Sequence, residues 1–144
     1  MEKLLISACL LGIPCRYDGK SVRGVDVSHL REKYELVPVC PEIYGGLSTP
    51  RVPSERRGDK TIMKDGRDVT ENYIRGAEAA YQLCLQLDCK IALLKERSPS
   101  CGKNKIYDGS FSGVLVDGEG VTAEYLRLRG IKVFGESEIE ELLK

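Results

Sequence analysis

The chain has 144 residues, of which 42% are hydrophobic, enough to build one compact domain without cross-links. Its 22 Lys and Arg balance 22 Asp and Glu, so no net field draws it to nucleic acid or anionic lipid, and an anionic ligand has to be met by a local site. No run approaches the ~20 apolar residues that a membrane span needs.

In chain order, the apolar run at residues 3–8 (KLLISA) reads as a buried strand. It leads into a loop rich in Gly, Pro and charge at residues 12–24, without a small-residue cleavage site, so the expected location is cytoplasmic. A short helix fits Asp26 to Tyr34, with Asp26 or Ser28 as N-cap, and Leu36 to Cys40 is the next strand. Residues 41–60 (PEIYGGLSTPRVPSERRGDK) form a long loop, and long ordered loops are usually functional. TIMKDGRDVT suggests a hairpin around Asp65-Gly66, and Thr70 caps a helix running to Leu87 with Ile74, Ala77, Tyr81, Cys84 and Leu85 on one apolar face. The strand KIALLKE follows. Gly113 to Val116 fits a short strand or turn, Val121 to Arg129 a helix, Ile131 to Phe134 the last strand and Glu138 to Leu143 a closing helix. Strands alternating with helices imply an α/β fold: a single domain over residues 1–144, three-layered and Rossmann-like, with a mainly parallel sheet.

Six cysteines without a CxxC pair exclude a zinc ribbon and a thioredoxin-type dithiol, and in a reducing compartment they point to metal, catalysis or packing rather than disulfides. Cys9 ends the first strand, Cys40 ends the second, and Cys101 lies in the loop after KIALLKE. In open α/β sheets the loops at the carboxyl ends of the strands gather where ligands bind, so these three thiols converge. Three readings stand on spacing alone: zinc with a fourth ligand, an iron–sulfur cluster with one iron open, or packing thiols. Cys84 and Cys89 read as small buried hydrophobes, and Cys15, six residues after Cys9, is ambiguous between a fourth ligand and a turn residue.

Two kinds of group accompany the thiols. Glu42, two residues after Cys40, can take a proton from water beside a Lewis acid, and Ser98 and Ser100, bracketing Pro99, can relay a proton or bind substrate. Ordinary turn chemistry also explains a Ser-Pro pair. In GGLSTPR, Ser48 and Arg51 offer a hydroxyl and a guanidinium to a phosphate or carboxylate, without the lysine or spacing of a P-loop. His29, the only histidine, falls on a helix away from these loops.

The motifs SACLLG-x-x-x-RYDG, VPVCPE-x-x-GGLSTPR and KERSPSCG, in this order and spread over the whole chain, together resemble the thiouracil desulfidase family. The resemblance implies an α/β domain holding a 4Fe-4S cluster on residues matching Cys9, Cys40 and Cys101, with one iron free of protein ligands that takes the sulfur of a thiolated pyrimidine. Glu42 and Ser98 match the family's catalytic carboxylate and serine, and Cys15 falls in a variable part of its motif. The implied activity removes sulfur from thiouracil or thiouridine monophosphate, releasing uracil or its nucleotide and hydrogen sulfide. The implied partner is that small molecule, with neither nucleic acid nor membrane, and the chain is expected to be a monomer or small homo-oligomer. A cluster-dependent sulfur-transfer enzyme of the tRNA-thiolation type would need a basic RNA surface, and a noncatalytic metal or cluster sensor would need neither Glu42 nor Ser98.

Overall fold

The computed structural model describes residues 1–144. Its centre is a four-stranded, all-parallel sheet in the order β2-β1-β5-β8, with β1 at Glu2–Ser7, β2 at Tyr34–Val39, β5 at Ile91–Leu94 and β8 at Lys132–Gly135. Between them run β3 (Ser54–Arg57), β4 (Lys60–Met63), β6 (Lys105–Tyr107) and β7 (Leu115–Asp117), which pair as two antiparallel hairpins outside the sheet. The helices are α1 (Ser28–Lys33), α2 (Pro41–Tyr44), α3 (Thr70–Leu87), α4 (Val121–Leu128) and α5 (Ile139–Leu143). No helix is long and apolar enough to cross a membrane.

The strands are apolar on both faces because both faces are covered. Leu4, Ile6 and Leu93 pack with Leu30 of α1 and Leu142 of α5; Leu5, Ala92 and Leu94 pack on the other side with Ala80 and Cys84 of α3 and Ala123 and Leu126 of α4. This is the expected three-layer α/β arrangement. The chain leaves β1 toward β2 on one side and later adds β5 on the other, so the strand order switches at β1, where ligand crevices form in such sheets.

Three local expectations change. The buried face of α3 is Tyr73, Gly76, Ala77, Ala80 and Cys84, whereas Ile74 and Leu85 are 41% and 55% exposed. Small residues, not large ones, mark this face because other backbones approach it closely. A Cβ on Gly76 would lie 1.9 Å from the Pro41 carbonyl oxygen, and one on Gly45 would lie 2.0 Å from that of Asn72. The long segment after Cys40 contains α2 and β3, and its hairpin turns at Gly58-Asp59; Asp65-Gly66 instead folds the end of β4 back through a single bridge between Ile62 and Asp68. Lys105–Tyr107 adds a strand opposite Leu115–Asp117, too short to show a period in the sequence.

Candidate active site

The turns after β1, β2 and β5 set the thiols. Past Ser7 the chain enters a 3-10 turn at Ala8–Leu11, closed by Gly12 at φ 88°, whose N–H reaches the Cys9 carbonyl at 3.2 Å. Cys40 stays extended (φ −128°, ψ 95°) at the N-cap of α2, and Pro41 starts that helix, where its fixed φ and missing N–H are tolerated. Glu42 therefore projects from the first turn beside Cys40. After β5, Ser98 Oγ accepts the N–H groups of Ser100 (3.1 Å) and Cys101 (3.0 Å), and the Gly102 N–H bonds the Ser98 carbonyl at 2.9 Å. The start of α4 presses against this turn so closely that a Cβ on Gly120 would lie 2.4 Å from the Ser100 carbonyl.

One cavity of about 600 Å³ opens over these turns, within the roughly 300–1,000 Å³ range of small-molecule sites. Cys9, Cys40, Cys101, Glu42, Ser98 and Arg51 all line it, so six of the eight residues singled out from sequence come together. The other two do not. Ser48 is exposed and bonds the Pro50 carbonyl (3.1 Å), and Ser100 is buried against the Thr122 hydroxyl of α4 at 2.9 Å. Within this turn Ser98, Pro99 and Cys101 line the cavity, and Ser100 alone turns to the helix.

Arg51 lies in the cavity wall; both terminal nitrogens of its guanidinium are spent on protein groups, while its buried Nε has no partner. Nη2 donates to Glu42 Oε2 at 2.7 Å and to the Cys15 carbonyl at 3.1 Å, and Nη1 donates to the Ser48 carbonyl at 3.0 Å. The other carboxylate oxygen, Glu42 Oε1, accepts the Tyr73 hydroxyl. The Arg51 side chain is 3% exposed and that of Glu42 17%, so the carboxylate is clamped at both oxygens out of bulk water. Burial is the largest single influence on the Arg51 pKa and lowers it, yet the Glu42 charge and hydrogen bond, with Cys40 and Tyr73, together outweigh it and the net shift is upward. Burial, reinforced by the Glu42 charge, raises Tyr73, which keeps its proton and remains a donor. Tyr73 was invisible to sequence reasoning: it reads as one more aromatic on α3, and only the glycine-lined crossing of α2 and α3 brings it to Glu42.

Cys15 is a fourth thiol in the cavity. The Cys40 thiol donates to the Cys15 carbonyl at 3.8 Å; the Cys40 thiol beside it lowers the Cys15 pKa, while the Cys9 thiol and burial raise it, and the net shift is upward. Burial pushes the Cys101 thiol up to about 12, and Cys40 is raised first by its bond with Cys15 and then by burial. Ligation at these sites displaces those protons. Cys84 and Cys89 are buried in the core on the α3 side of the sheet, as packing thiols are, and His29 is exposed on α1 beside Glu32.

The donor set suits an iron–sulfur cluster. Around the cavity every soft ligand is sulfur, from three separate strand ends, and no three His, Cys, Asp or Glu groups are placed to hold a single metal ion. A cluster takes each thiolate at a different iron, so it accepts ligands that one ion would not. Arg16, Lys64 and Arg97, none engaged in an ion pair, also line the cavity, as do Tyr17, Tyr107 and Phe111.

Residues 4–138 match the family described as 2-thiouracil desulfurase. A curated relative from Bacillus subtilis (strain 168), the uncharacterized protein YbbK, is 39% identical across 97% of this chain and 99% of its own length. Among solved structures, a 4Fe-4S-dependent thiouracil desulfidase, TudS, is 49% identical and superposes with a TM-score of 0.94, covering 99% of this chain and 95% of that one.

Proposed function

The chain belongs to the 2-thiouracil desulfurase family, and we propose on that premise that it is a 4Fe-4S-dependent desulfidase that hydrolyses the C–S bond of thiolated pyrimidines. Cys9, Cys40 and Cys101 would hold the cluster, leaving one iron without a protein ligand. When bound, the cluster supplies a Lewis acid that draws electron density from the thiocarbonyl carbon. The reaction exchanges sulfur for oxygen: thiocarbonyl plus water gives carbonyl plus hydrogen sulfide, with no net electron transfer.

The observation that carries this reading is the Glu42 carboxylate, held at both oxygens in the cavity that the thiols line. Glu42 takes a proton from the water that attacks the thiocarbonyl carbon, and the Arg51 and Tyr73 bonds fix its orientation for that transfer. The Ser98 oxygen is engaged by two backbone N–H groups, which polarises its O–H and leaves that proton to donate toward the departing sulfur. Arg51 acts through Glu42 and not on the substrate. The cations of the cavity lining that enter no ion pair also suit the phosphate of a thiouridine monophosphate, so base and nucleotide both fit the cavity's chemistry.

Anaerobic turnover of 2-thiouracil in oxygen-18 water tests the reading. The expected products are hydrogen sulfide and uracil in equal amounts, with the heavy oxygen in the new carbonyl. Uracil formed without the label would remove water as the nucleophile and Glu42 as its base.

A further inference from the structure

Three non-glycine residues of the chain have positive φ: Asp88 at 57°, Arg97 at 68° and Phe111 at 58°. Asp88 closes the C-terminus of α3, where a left-handed residue is common. The other two line the active-site cavity. For a bulky aromatic this conformation is an outlier, and it persists only where the surroundings impose it.

The surroundings of Phe111 do impose it. Phe111 belongs to the tip of the hairpin formed by β6 and β7, and Glu55 of β3 reaches across to that tip. Glu55 Oε1 accepts the N–H groups of Gly109 at 2.9 Å and Phe111 at 3.0 Å, while Arg57 Nε donates to the Gly109 carbonyl at 2.6 Å. Glu55 enters no ion pair; its charge is directed at these two backbone amides. A Cβ on Gly109 would lie 2.2 Å from the Arg57 side chain, so the tip is pressed against β3. The tip is thus held down over the cavity by two side chains of a separate hairpin. Phe111 itself is half-buried and lines the cavity.

We propose that Phe111 is the stacking surface for the pyrimidine ring, and that Glu55 is the positioning residue that holds it in place; this rests on the function proposed above. A thiolated pyrimidine is a flat ring whose polar edge must meet Glu42 and Ser98. What holds its face is a flat apolar group, since ring stacking needs no particular edge pattern. The other aromatics at the cavity are placed differently: Tyr73 lies on α3 with its hydroxyl on Glu42, Tyr107 lies in a regular strand and Tyr17 is 41% exposed. Among these aromatics only Phe111 has a positive φ, and it alone lacks a hydroxyl.

Substitution by glycine separates strain from stacking, because glycine adopts φ near 58° without cost. In the cluster-loaded protein, Phe111→Gly is expected to melt at or above the wild-type temperature, while KM and the equilibrium-dialysis Kd for 2-thiouracil rise about ten-fold and kcat changes less, a size in keeping with the loss of one stacked ring. Phe111→Trp keeps the affinity. Glu55→Gln, which still accepts both amides, keeps it as well, whereas Glu55→Ala raises KM like Phe111→Gly. Unchanged Kd in Phe111→Gly overturns the proposal, as does equal loss in Glu55→Gln and Glu55→Ala, and so does a wild-type protein that fails to bind 2-thiouracil at all. A wild-type protein that binds without turnover, and loses that binding in Phe111→Gly, overturns the desulfidase reading and leaves the stacking surface standing.

Discussion

Glu42 is a carboxylate with both oxygens occupied. Arg51 fixes one and Tyr73 the other, so in the proposed reaction the direction in which Glu42 would receive a proton is set before any substrate arrives. Removing only the Tyr73 hydroxyl, with Tyr73→Phe, is expected to lower kcat about ten-fold with KM nearly unchanged, the loss of one charge-assisted bond. Steady-state sulfide release measures it, and a change confined to KM would mean that Tyr73 touches substrate instead. That Cys9, Cys40, Cys101, Glu42 and Ser98 come to one cavity was legible in the sequence because each lies at or just past a strand end, among loop-forming residues. Tyr73 carries no such mark. Ser48 and Ser100 misled because a hydroxyl near a motif says nothing about which way it faces; Ser100 turns to Thr122.

At the scale of elements, the crossing of α2 and α3 matters most. Gly45 and Gly76 let the two backbones touch, and that contact places Glu42 of one helix against Tyr73 of the other. A mid-helix glycine ordinarily weakens a helix, so in sequence Gly76 counts against the helix it serves. Gly76→Ala should improve helix propensity yet destabilise the fold by about 1–3 kcal/mol, because the added methyl meets the Pro41 carbonyl and must push α2 away. Chemical denaturation reads the stability and sulfide release the accompanying loss of turnover; a more stable variant with full activity would show that the close approach is dispensable. The same crossing explains why the apolar face of α3 was phased wrongly from sequence. Periodicity rewards large residues such as Ile74 and Leu85, while the buried seam here is built from Gly76, Ala77 and Ala80.

For the molecule as a whole, the parallel sheet and its two helical layers were legible because strands buried on both faces alternate with helices along the chain. The two hairpins were harder to read: three- and four-residue strands carry too little period. They contribute much of the cavity wall. Ser54, Glu55, Lys64, Tyr107, Phe111 and Gly113 all reach the cavity from these hairpins and their loops, over thiols that the sheet supplies. The division of labour is physical. The sheet edge positions the thiols and Glu42, and the hairpins supply wall residues of the same cavity. The most direct test of the central claim is sulfide release from 2-thiouracil under anaerobic conditions, comparing the cluster-loaded protein, the cluster-free protein and cluster-loaded Glu42→Ala. The account predicts turnover by the first alone, with the visible cluster absorbance of Glu42→Ala equal to that of the wild type. Equal turnover by the cluster-free chain or by Glu42→Ala would contradict it.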